Sequence, residues 1–233
     1  TQDNLNVKTK VTIGKLNSPS IGSLGVETKL NTKYGFNLWN KFTAKEAIIN
    51  LNYLPNAVSS NILQSYLIDL YASVSLPPQG NSKDVIKFLE IKLLKISASG
   101  YANYLNDIVK QLPNNSRWER WKKWYVEYNL MKKNDKESCK VVNEFLKTEI
   151  SNFWKKAKII CLITEQKFDE AKFVHDVMVS QNLVDELFTE LFQNLVHKIN
   201  NNQLKHVNLQ AEPLHIVMLD ILKHPIKANL IAN

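Results

Sequence analysis

Glycine and proline are scarce in this chain, at six and seven of 233 residues. Sandwiches and barrels spend both on their many turns, so the shortage weighs against an all-β fold. Arginine is scarcer still: of thirty basic residues only Arg117 and Arg120 are arginine. The formal charge of +8 would suit a nucleic acid, an anionic lipid or an acidic partner. Proteins that grip nucleic acid lean on the bidentate fork of arginine, however. Lysine here comes with 27 asparagines, so the charge reads first as solvated surface. No run of 18 apolar residues exists, so no segment of the sequence has the length of a membrane-spanning helix.

The motifs of catalysis and metal binding are missing too. Cys139 and Cys161 form no C-x-x-C pair, which leaves zinc and thioredoxin-type chemistry unsupported. Of His175, His197, His206, His215 and His224, no two lie three or four apart as ligands on one helix face would. There is no G-x-S-x-G elbow, G-x-G-x-x-G turn or P-loop. Glu186 and Glu190 are neighbours on a helix, where a solvated face explains them better than an acid–base pair. We therefore expect no catalytic residue, cofactor or metal. Thr1 in place of an initiator methionine points to a processed or trimmed chain.

What is present is helical periodicity. Hydrophobic residues make up 44% of the chain, enough for a real core. Residues 1–40 lack that periodicity. Their turn-like stretch Asn17-Ser18-Pro19-Ser20-Ile21-Gly22-Ser23-Leu24-Gly25 suggests an extended arm, pinned at its end by Tyr34, Phe36, Leu38 and Trp39. From Thr43, which forms a capping box with Glu46, to about residue 224, about ten amphipathic helices follow, joined by short turns. Pro55, Pro77-Pro78-Gln79-Gly80, Gly100 and Pro113 punctuate them, and Pro213 opens the last. Residues 225–233 read as a tail.

Short turns make successive helices antiparallel neighbours. A loose internal period supports stacked pairs. Trp121 and Trp154 are 33 residues apart, as are Ser138 and Ala171. A bulky residue early in one helix and a small residue at the crossing is the tetratricopeptide pattern. The expected fold is all-α: antiparallel helix pairs stacked as a tetratricopeptide-like α-solenoid, with an irregular helical bundle as the alternative.

The densest cluster runs from Arg117 to Tyr125. Trp118, Trp121, Tyr125 and Tyr128 form one stripe at helical spacing and should be core. Trp124 lies off that stripe; with Arg117, Arg120, Lys122 and Lys123 it is the candidate partner-binding surface.

Several phrases, in order, resemble a family. They are Ile21-Gly22-Ser23-Leu24-Gly25, Gly35-Phe36-Asn37-Leu38-Trp39, Cys139-Lys140-Val141-Val142, Trp154-Lys155-Lys156-Ala157-Lys158-Ile159-Ile160-Cys161, and Pro213-Leu214-His215-Ile216-Val217-Met218-Leu219. They look like a group of exported alphaproteobacterial proteins often labelled "antifreeze glycopeptide polyprotein". The resemblance covers about residues 21–219 and implies export, paired cysteines and no known activity.

Cysteine position argues for pairing independently. With the turn between their helices near Ser151, Cys139 and Cys161 lie about 18 and 15 Å from it at about 1.5 Å rise per residue. They are thus at similar height on adjacent helices, within the geometry a disulfide needs. Two buried free thiols are the alternative. The expected function is a non-catalytic scaffold or adaptor of the bacterial envelope, periplasmic or secreted with a cytoplasmic location as the alternative, binding a protein or peptide. The alternatives are a basic helical nucleic-acid-binding protein or the docking domain of a cell-wall enzyme.

Overall fold

A computed structural model describes residues 20–148, 151–197, 204 and 211–225. These residues form eleven α-helices and two short 3-10 turns; among them there is no strand, only two isolated parallel bridges. The all-α expectation holds. Two compact units divide the chain, residues 1–104 and 105–233. The parts of the expected arm at 1–19 and of the expected tail at 226–233 lie outside the described residues, as does His206.

In the first unit, the described part of the arm is folded. Ile21–Ser23 is a 3-10 turn and α1 spans Lys29–Tyr34. They are followed by α2 (Ala44–Tyr53), α3 (Asn61–Ala72) and α4 (Ser82–Ala98). The glycines read as signs of a linker serve close approach instead. A Cβ on Gly25 would meet the Val74 nitrogen at 2.4 Å. That clearance lets Val26 N–H donate to Ala72 O (2.8 Å) while Val74 N–H donates to Val26 O (2.9 Å). Thr28 caps α1, and the Asn31 side chain donates to Val74 O (2.7 Å). Of the four residues expected to pin this segment, only Trp39 is buried, edge-on to Phe88 at 5.3 Å; Tyr34 and Phe36 are exposed. The Thr43–Glu46 capping box forms as expected, with Glu46 N–H donating to Thr43 Oγ1 and the carboxylate accepting from Thr43 N–H.

The boundary between the units falls within α5 (Ala102–Gln111); the second unit then contains α6 (Glu119–Met131), α7 (Asp135–Phe145), α8 (Asn152–Thr164), α9 (Phe168–Ser180), α10 (Glu186–His197) and α11 (Pro213–Ile221). α6 packs on α7, α8 on α9, and α7 on α8; α11 packs on α10, α6 and α8. α8 begins and ends 33 residues after α6, and α9 begins 33 after α7. Both hairpins turn through the same conformation, with Lys133 at φ 61° and Gln166 at φ 60°. Asn134 N–H then donates to Asn129 O, and Lys167 N–H to Leu162 O, each at 2.8 Å. That bond marks a Schellman ending, built here without glycine. Ser138 and Ala171 are both fully buried. Trp154 is buried as well, stacked on Phe145 at 4.2 Å. The cysteines are joined: Cys139 of α7 and Cys161 of α8 form a disulfide with Cα atoms 5.7 Å apart.

One buried charge holds the first unit together. Lys92 sits on the apolar face of α4 with no solvent exposure. Its Nζ donates to Leu24 O (3.1 Å) and Ser73 O (3.0 Å), tying the 20–26 segment to the end of α3. Burial pushes its pKa down from 10.5 to about 7. A depressed lysine pKa gives stability that is fully present above 10.5 and lost as pH falls through about 7. Urea unfolding should therefore show stability rising from pH 7 toward 10. In Lys92→Met that rise should flatten, and the variant should be less stable at neutral pH because two buried carbonyls lose their donor. An unchanged pH slope in Lys92→Met would contradict this.

Candidate functional site

The Arg117–Trp124 cluster divides on folding. Trp118 closes the 3-10 turn Ser116–Trp118 and begins the buried stripe that continues through Trp121 and Tyr125 on α6. Lys122 lies four residues after Trp118 and three before Tyr125, so helical geometry places it on the buried face. It is 2% exposed, against the expectation of a surface group. Its Nζ reaches the Lys110 carbonyl at 3.4 Å, and burial lowers its pKa to about 8, with Glu144 opposing. Lys123 is bonded to Glu119 at 2.9 Å and lies over the Phe153 ring. Trp124 is half-buried and stacked on Tyr128 at 5.1 Å. Arg117 and Arg120 stay exposed, Arg120 over the Trp121 ring at 5.5 Å. The structure thus leaves the two arginines facing solvent and draws the lysines inward.

Beside Lys123 is a cleft of about 410 Å³ on the face shared by α6, α8 and α11. Lys123 and Glu127 line it from α6, Phe153 and Lys156 from α8, and Glu212 and Leu214 from the start of α11. Glu119 reinforces the α6–α8 side. It accepts from Lys123 and from Trp154 Nε1 (3.0 Å), and these donors hold its carboxyl below the usual range against the effect of burial.

At the edge of the cleft, a set of charges fastens the entry to α11. Lys156 Nζ lies 2.7 Å from Asp185 and 3.6 Å from Glu212. Asp185 also accepts the Phe188 amide at 2.8 Å, which caps the start of α10. Burial works to raise the Asp185 pKa, but Lys156, the Phe188 amide and His215 outweigh it and hold the carboxyl low. His215 is 3% exposed, and its Nδ1 accepts the Glu212 amide at 2.9 Å. Its Nε2 is 3.0 Å from Asp185 Oδ1, close but off the line of a good hydrogen bond. Burial lowers the His215 pKa, and the Asp185 charge opposes that.

Asp185, Glu212 and His215 place ligand-type atoms within 4.8 Å of one another. Their chemistry does not suit a metal ion. The lysine ammonium already sits against both carboxylates. The backbone amide held on Nδ1 places the neutral ring's proton on Nε2, so the nitrogen facing Asp185 carries a hydrogen rather than a free lone pair. The set is a latch for α11. None of Glu127, Lys156, Asp185, Glu212 or His215 was singled out for a site from sequence. Glu212-Pro213 with His215 two residues on has the spacing of a cap at a helix start, and that was the one local signal for them.

Glu127 is the titrating member of this face. Burial, with the Glu212 charge adding to it and Lys123 opposing, pushes its pKa up to about 7 from 4.5. A raised carboxyl pKa gives stability that is present below 4.5 and lost as pH rises through about 7. Thermal melts between pH 4.5 and 7 should show the wild type losing stability relative to Glu127→Gln across that window. Glu127→Gln should lose less and melt higher at pH 8; equal pH slopes for the two proteins would contradict this assignment. Comparison of the chain with family models, curated proteins and solved structures finds no match.

Proposed function

We propose that the chain is a non-catalytic adaptor or scaffold that binds a protein or peptide partner through its paired helices. The observation that supports this is the recurrence of one hairpin design. Two hairpins whose first helices are equal in length, with the same left-handed turn and a small buried residue at equivalent positions, stack through α7 and α8. In this reading they form a tetratricopeptide-like array, an architecture whose repeated units present extended binding surfaces. The surface offered to the partner centres on Arg117 and Arg120, the members of the cluster that remain exposed.

The disulfide supports a place in an oxidising compartment, periplasmic or extracellular. No helix among the described residues is long and apolar enough to cross a membrane. The likeness to exported alphaproteobacterial proteins accords with that placement. The nucleic-acid alternative loses ground, because Lys122 is buried and Lys123 is paired with Glu119.

A photo-crosslinking side chain at position 120, introduced in the native cell, tests the proposal. It should capture one defined polypeptide that the same group at the exposed position Lys136 does not. An Arg117→Ala, Arg120→Ala variant should reduce binding of that purified polypeptide about tenfold, as loss of charged contacts at an interface does. Capture of nucleic acid instead, or of no defined polypeptide, would contradict the adaptor reading.

A further inference from the structure

The first unit has a cleft of its own, of about 490 Å³, between α1 and α3. Its volume falls within the range of about 300–1,000 Å³ typical of small-molecule sites. Lys29, Leu30 and Lys33 line it from α1; Ile62, Tyr66 and Asp69 line it from α3. The α3 residues share one face, since positions 62, 66 and 69 follow helical spacing.

Asp69 is the unusual member. It is 6% exposed, yet its carboxylate makes no hydrogen bond or ion pair with any of the described residues, while its backbone carbonyl accepts from Ser73. With no donor from the described protein, the carboxylate faces the cleft and is open to a cationic group that enters there. Burial raises its pKa, with Lys29 opposing. Around it the cleft has two further kinds of surface. Lys29 and Lys33 stand exposed at one rim, one helical turn apart, with Lys33 Nζ 5.1 Å from the centre of the Tyr34 ring. Ile62 and Tyr66 form an apolar wall that is 71% and 57% exposed.

We propose that this cleft binds a small zwitterion carrying an apolar or aromatic side chain, an α-amino acid or a dipeptide. Its ammonium pairs with Asp69, its carboxylate with Lys29 and Lys33, and its side chain lies on Ile62 and Tyr66. The arrangement selects against the neighbouring chemistries. A polyamine or a simple amine meets two lysines at the rim, and a fatty acid or other plain anion meets Asp69 at the floor. The site is independent of the adaptor reading, which concerns the second unit.

Isothermal titration of the full chain with four probes tests it: L-phenylalanine, alanyl-phenylalanine, 2-phenylethylamine and 3-phenylpropionate. One of the two zwitterions should bind saturably at one site per chain, and the tighter of them fixes the charge separation the cleft accepts. The amine and the acid should each bind about tenfold or more weakly, having lost one charged pairing. Asp69→Asn should abolish the preference for the zwitterion over the acid. If that variant does not fold, the exposed changes Lys29→Ala, Lys33→Ala and Tyr66→Ala serve in its place, each weakening binding with the melting temperature unchanged. Binding should also weaken at acid pH as Asp69 protonates. The proposal is overturned if neither zwitterion binds, if the amine or the acid binds as tightly as the zwitterion, or if all the variants bind like the wild type.

Discussion

The bond between Cys139 and Cys161 joins the second helix of one hairpin to the first helix of the next. Within each hairpin the two helices are antiparallel neighbours because a short turn leaves them little choice. Between hairpins nothing local imposes the packing of α7 on α8. The buried residues of that crossing, Val142, Phe145, Trp154, Ala157 and Cys161, must find one another across the connection. The disulfide closes a loop of 22 residues there, a constraint on the unfolded chain that contributes about 3 kcal/mol. Once α7 and α8 are fixed, α6 and α9 follow from their hairpin turns. α6 and α8 then present the face on which α11 packs.

Charge is used inside this protein as well as on its surface. Lys92 and Lys122 both lie on apolar helix faces, and both give their ammonium groups to backbone carbonyls rather than to carboxylates. A lysine placed so can join two backbone segments at once, at the cost of desolvating its charge. Lys156, whose side chain is mostly buried, does related work, holding Asp185 and Glu212 so that α11 begins where the α6–α8 face can receive it. Lys92, Lys122 and Lys156 are therefore structural. In the cluster that first suggested a binding strip, Lys122 is buried and Lys123 is paired with Glu119, which leaves Arg117 and Arg120 as its exposed cations.

Local signals carried much of the architecture. Thr43 with Glu46, Gly100, Pro213 and the Trp118–Tyr125 stripe each depend on residues within one or two turns, and each was legible. The cysteine pairing was legible because two helix lengths and one turn fix the height of both residues. What failed depended on distant partners. Gly22 and Gly25 read as linker glycines because nothing near them shows that Val85 and residues 72–74 press against their backbone. Lys122 read as surface because its residue type outweighed its helical position. The α11 latch escaped notice because Lys156, Asp185 and Glu212 come from three separate segments, and the Asp69 cleft because its rim lies on a helix, α1, that the sequence pattern did not reveal.

The dependence of the second unit on the α7–α8 crossing is most directly measured by amide hydrogen exchange before and after reduction, on protein whose unreduced peptide map is taken alongside. The expected map contains a single Cys139–Cys161 linked peptide. On reduction, exchange should quicken at core positions of α7 and α8 such as Val142 and Ile160, and along α11, while Ala47 and Leu51 of α2 in the first unit keep their protection. Two freely alkylated cysteines in protein from an oxidising compartment, or protection in α7, α8 and α11 that is the same with and without the bond, would contradict it.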